Sequence, residues 1–275
     1  MRPPPATFGA MFPIRDHNPS QRRAYVTWVL ILVNVAIHLA VTLAYPSERD
    51  LMQHYGTWAM IPGRIAAGDA LHTLFSSMFL HGDLLHLGGN MLFLWIFGDN
   101  MEDTLGHLGF LLFYLACGAG SALAQFAFDP ASGIPVLGAS GAIAGVMGGY
   151  LLLFPRARID VLIFLVIFIR ILPIPAWIML GVWFAFQVVA GVGTDAATGG
   201  VAYWAHAGGF MIGLALIAPL WLARGGPDFW HRTHGHPPHP DHDWGRLAPS
   251  SVPRVIRSRT GPPEDPGRGT PWGGR

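Results

Sequence analysis

The chain has 275 residues, 52% hydrophobic and only 12% charged, with a mean hydropathy of +0.40. Soluble domains carry about 25% charged residues, so the composition excludes an ordinary soluble domain and indicates a polytopic membrane protein. A net charge of +1 carries no argument for nucleic acid, and no nucleic-acid partner is expected.

Residues 1–20 are Pro-rich without an apolar core, so no cleavable signal peptide is expected. Residues 1–23 read as a largely disordered cytoplasmic segment. The first span is 24–45, closed by Pro46. Its Asn34 and His38 share one helix face, which suits hydrogen bonds to neighbouring helices. Residues 46–83 are too polar to cross and too long for a simple connector, and their scattered aromatics suit the membrane interface. The second span, 84–101, opens with His86 and Asn90 on one face, one turn apart. Residues 107–128 form the third, with Ser121 and Gln125 as packing polars. The single Cys117 lies mid-span and reads as inert packing.

Residues 138–150 read Gly-Ala-Ser-Gly-Ala-Ile-Ala-Gly-Val-Met-Gly-Gly-Tyr, a helix almost without side chains on one face and built for close approach to a neighbour. Ser140 stands at its start. The fourth span, 139–154, has about 16 residues and a length of roughly 24 Å. That is short of the roughly 30 Å hydrocarbon core, so Ser140 is expected to be recessed beneath one surface. Residues 161–172 are a short apolar run of re-entrant or interfacial type, separated from the next helix by Pro173 and Pro175. The fifth span is 176–190, residues 191–200 are a mobile loop, and the sixth span is 201–223 with His206 near its start. Residues 224–275, rich in Pro, Gly, His and Arg, are expected to be disordered and cytoplasmic. Their histidines lack a scaffold for a dedicated metal site.

In this six-span arrangement the arginines fall on one side except Arg49 and Arg64, which places both termini in the cytoplasm of a multi-pass cell-membrane protein. Spans two, four and six then start at the outer surface. His86, Asn90, Ser140 and His206 therefore share one depth. Polar side chains in a membrane are costly and usually face the bundle interior, so four at one level point to a site. Ser140 is a nucleophile once a base takes its proton, and His206 is level with it. The Gly209-x-x-x-Gly213 spacing allows the two helices to approach closely. With no carboxylate near His206 in sequence, a dyad is expected rather than a triad. The Ser140 amide, Asn90 and His86 can donate to a developing oxyanion. A helix-binding protein using the same groove, or a metal or haem protein using His38, His81, His86 and His206, are the rival readings.

Three motifs in order, His81-x4-His86-x3-Asn90, Gly138-Ala-Ser140-Gly141 and Ala205-His206-x2-Gly209-x3-Gly213, resemble the rhomboid family of intramembrane serine proteases over roughly 25–223. The run Phe97-Gly98, Glu102 and Gly106 is also similar. The resemblance implies an all-α, six-transmembrane-helix bundle (24–223) with a membrane-dipping loop between helices 1 and 2. It implies catalysis by Ser140 and His206, an oxyanion hole from the Ser140 amide with His86 and Asn90, a supporting role for His81, and a structural role for Glu102. It further implies that span five and residues 191–200 gate entry of single-span membrane-protein substrates from the lipid bilayer. No metal, nucleotide or organic cofactor is implied. In some members an aromatic residue four positions after the nucleophile stacks on the catalytic His. Here that position is Ala144, so His206 must be oriented by other packing.

Overall fold

The computed structural model describes residues 11–18, 20–165, 168–193 and 201–237. Most of them are helical: α1 (Tyr25–Ala44), three short helices α2 (Glu48–Trp58), α3 (Pro62–Ala66) and α4 (Thr73–Ser76), then α5 (Leu84–Leu105), α6 (His107–Phe128), α7 (Ser140–Leu153), α8 (Ala176–Gly193), α9 (Tyr203–Ala223) and α10 (Pro227–Thr233). Strands β1 (Met11–Asp16), β2 (Arg158–Leu165) and β3 (Phe168–Pro175) make one antiparallel sheet in that order.

Among the described residues four helices, α1, α6, α8 and α9, are long and apolar enough to cross a membrane. Their outer faces carry exposed Leu32, Leu43, Leu108, Leu112, Val189 and Leu222, the pattern of surfaces solvated by lipid rather than water. Polar residues such as Asn90, Asp99 and Asn100 dilute the hydropathy of α5, and α7 has 14 residues.

The hub is α7, on which α5, α6, α8 and α9 all pack. All of its residues except Ser140, Leu151 and Leu152 are buried. Gly141, Gly145, Gly148 and Gly149 would weaken a helix in water, but in an apolar surrounding the backbone must satisfy its own hydrogen bonds. The glycines instead allow contact. A Cβ at Gly209 would collide with the Gly141 carbonyl, one at Gly213 with the Gly145 carbonyl, and one at Gly148 with the Phe210 carbonyl. The backbones of α7 and α9 therefore touch.

Glu102, 2% exposed, ties three helices together. Its carboxylate accepts the Val26 amide at 2.9 Å, the Thr27 amide at 2.8 Å and the Thr27 hydroxyl at 2.7 Å, and meets His107 Nδ1 at 2.6 Å. It thus caps the free N–H groups at the start of α1 from a different helix. Asn34 donates to the Leu30 carbonyl of its own helix at 2.8 Å.

Three expectations need correction. The fold is mostly helical but not all-α: within 161–172, residues 161–165 and 168–172 lie on the paired strands β2 and β3 rather than on a helix, with Val161 opposite Leu172. Apolar length alone does not separate the two states, whereas the Val, Ile and Phe content favours a strand. Pro173 and Pro175 sit on β3, an edge strand where proline is tolerated. Residues 11–18 of the segment expected to lack order supply the third strand and its continuation. Asp160 holds it, meeting Arg15 Nε and His17 Nε2 at 2.7 Å each. Burial raises the Asp160 carboxyl pKa, but these two partners outweigh that and leave it below the usual range. Asn18 is fully buried and donates to the Tyr150 hydroxyl at 3.2 Å. Finally, the chain after 223 turns back as α10, where Trp230 Nε1 donates to the Leu152 carbonyl at 2.8 Å, one of the carbonyls that the end of α7 leaves open. Residues 238–275, with the remaining histidines, lie outside the described residues, as do 194–200 of the expected loop.

Candidate active site

Ser140 is the first residue of α7 and follows Gly138, whose φ is +123°. This left-handed region suits glycine. A Cβ at Gly138 would stand 2.7 Å from His86 Nε2 and 3.4 Å from Ser140 Oγ, so the imidazole and the hydroxyl flank one bare backbone position. The long 46–83 segment holds that turn. Met60 and Val136 exchange backbone hydrogen bonds of 3.0 and 2.7 Å, and the Gly138 amide donates to the Ser77 carbonyl at 2.9 Å. Tyr55 donates its hydroxyl to the His81 carbonyl at 3.0 Å, and the His81 ring lies edge-on to His86 at 5.1 Å. The Ala139 amide reaches His81 Nε2 at 3.5 Å, a long contact.

Across the α7–α9 seam, His206 Nε2 lies 2.7 Å from Ser140 Oγ. His206 is in the first turn of α9, and Ser140 opens α7. With the two backbones in contact through Gly209 and Gly213, short side chains can meet. Gln125 of α6 accepts the Ala205 amide at 3.1 Å, fixing the start of α9 beside the imidazole.

Asp83 caps α5 by accepting the His86 amide at 2.8 Å. One turn beyond His86, Asn90 is 8% exposed, and its Nδ2 has no hydrogen-bond partner among the described residues. A buried donor left open is costly. His86, Asn90, Ser140 and His206 all line one open cavity of about 830 Å³. As the first residue of its helix, Ser140 has an amide with no carbonyl one turn earlier to receive it. The sequence-derived residues thus face a single space.

Sequence reasoning missed one member. Gln187 of α8 brings its Oε1 to 2.9 Å from His206 Nδ1, and Trp183 of the same helix lies 6.0 Å from the imidazole, ring to ring. The signal was present, since Gln187 is the only amide side chain in α8 and intramembrane polar residues usually face inward. Ala144 is fully buried, and the imidazole instead meets Gln187 and Trp183 of α8.

A helical membrane bundle with a serine and a histidine in hydrogen-bond contact at a glycine-lined seam defines a class, and the chain belongs to the rhomboid family: residues 68–223 match its Rhomboid domain. It is 34% identical over 151 residues to Rhomboid protein 1, mitochondrial, of Saccharomyces cerevisiae, covering 52% of this chain and 40% of that protein. It is also 42% identical over 78 residues to Rhomboid protease GluP of Bacillus subtilis, covering 28% and 15%, and 29% identical over 135 residues to Rhomboid-like protein 11, chloroplastic, of Arabidopsis thaliana, covering 48% and 43%. The chain spans less than half the length of each of these relatives.

Proposed function

We propose that the protein is an intramembrane serine endopeptidase that cleaves the transmembrane segments of single-span membrane proteins. The reading is carried by one observation, the 2.7 Å approach of His206 Nε2 to Ser140 Oγ. Kinship with a relative named as a protease supports it. In this reading α5 and α7 complete a six-span bundle with α1, α6, α8 and α9, the 46–83 segment dips into the outer leaflet, and both termini are cytoplasmic.

His206 takes the Ser140 proton as the oxygen attacks a substrate carbonyl. The tetrahedral oxyanion is met by the Ser140 amide, Asn90 Nδ2 and the His86 imidazole. His206 then gives its proton to the departing amine, leaving an ester on Ser140. Water, deprotonated by the same imidazole, attacks that ester; as the acyl–oxygen bond breaks, His206 returns the proton to Ser140 Oγ and the acid is released. Because a helix satisfies its own backbone bonds, a substrate must unwind to present a carbonyl, so spans with small or helix-breaking residues near their outer end are expected to be cut first. In liposomes, Ser140→Ala and His206→Ala should each abolish cleavage of a model single-span protein. Intact cleavage by either variant would refute the mechanism.

A further inference from the structure

We propose that Gln187 is a positioning residue that holds His206 in its base-competent tautomer, so that the working unit is Ser140–His206–Gln187 rather than a dyad. This deepens the reading above and rests on it. A carbonyl oxygen has no proton to give. Nδ1 facing Gln187 Oε1 at 2.9 Å therefore carries hydrogen, which leaves the Nε2 lone pair for the Ser140 hydroxyl at 2.7 Å. The other tautomer would point an N–H at Ser140 and could not take its proton.

Burial supports the same assignment. Val182, Phe186 and Val189 of α8 are 48%, 60% and 71% exposed, whereas Gln187 is 5% exposed. The one amide on this helix is turned inward onto the imidazole. A carboxylate would perform the same task in a soluble protease, but an ionised group is costly in an apolar bundle. A neutral amide supplies the acceptor without the charge. His206 sits on α9 and its partner on α8, so the ring is oriented from a second helix, which compensates for the missing aromatic at Ala144.

The test compares wild type with Gln187→Met, which keeps length and apolar packing but removes the strong acceptor, and Gln187→Glu, which keeps an acceptor. The readouts are labelling of Ser140 by a fluorophosphonate, kcat and KM on a model substrate, and Tm in detergent. Gln187→Met is expected to lower the labelling rate and kcat about tenfold, the scale of one hydrogen bond, with KM unchanged and Tm at or above that of wild type. Gln187→Glu is expected to recover most of the rate despite a lower Tm. A role in packing alone gives the opposite order, with Met active and Glu impaired, and that result overturns the proposal, as does a wild-type labelling rate in Gln187→Met. If Gln187→Met fails to fold, Gln187→Leu replaces it. The underlying dyad is scored separately: if Ser140→Ala and His206→Ala leave cleavage intact, both readings fall, whereas if they abolish it while Gln187→Met stays fully active, only this one does.

Discussion

Asn90 offers the most direct probe of charge stabilisation at the residue scale. Its buried amide faces the cavity with Nδ2 unpaired, and a donor in that state is worth most when negative charge appears nearby. Asn90→Ala should therefore lower kcat about 100-fold with little change in KM, as read from initial rates. An equal fall in every variant of α5, whatever its position, would instead mean general damage. Asn90, His86, Ser140 and His206 were legible because each is a polar residue in an apolar stretch and the four recur at matching span starts. Gln187 carried the same signal without a spacing that tied it to the others. Its role depends on which face of α8 turns inward, and a helix that is apolar all round does not disclose that.

At the element scale, the seam between α7 and α9 was readable from small residues spaced four apart. Gly213→Val should push the helices apart, since its Cβ would meet the Gly145 carbonyl. Cleavage should be lost and Tm should fall, because backbone cannot give way as a flexible side chain can. The sheet was not readable, because β1 and β2 are about 145 residues apart in sequence and pairing over such separations leaves no local mark. Its attachment should depend on pH. Burial, with the Asp99 charge second, pushes the Asp16 carboxyl up from 3.8 to about 8, although the Asn18 and Asn100 groups pull it back. A raised carboxyl binds its proton more tightly in the fold than in the unfolded chain. The associated stability is complete below about pH 4, declines as pH rises, and is gone above about pH 8. Asp16→Asn should raise Tm at pH 8, leave it little changed at pH 4, and flatten the decline between.

For the whole molecule, sidedness is the property to test. Arg156, Arg158 and Arg224 lie at the end of the bundle where the sheet and α10 gather, together with Arg15 and Arg22, while Arg49 and Arg64 lie in the segment between α1 and α5. The excess of arginine is the ground for proposing that the sheet end faces the cytoplasm. Reporters placed ahead of residue 11 and after residue 237 should both read as cytoplasmic in a topology assay, and a reporter in the 46–83 segment as external. Opposite locations for the first two would end the six-span arrangement.

The sequence by itself determined the class of molecule and the positions of the apolar helices, and it singled out the polar residues that line the cavity. Each of those follows from composition, local periodicity or the cost of a polar group in lipid. Only the tertiary structure decided that the N-terminal strand joins the β2–β3 strand pair after α7, that α10 folds back onto the end of α7, and that Gln187 of α8 meets the imidazole. Those are pairings between distant segments, chosen by which faces can be buried together, and no single stretch of chain carries that information.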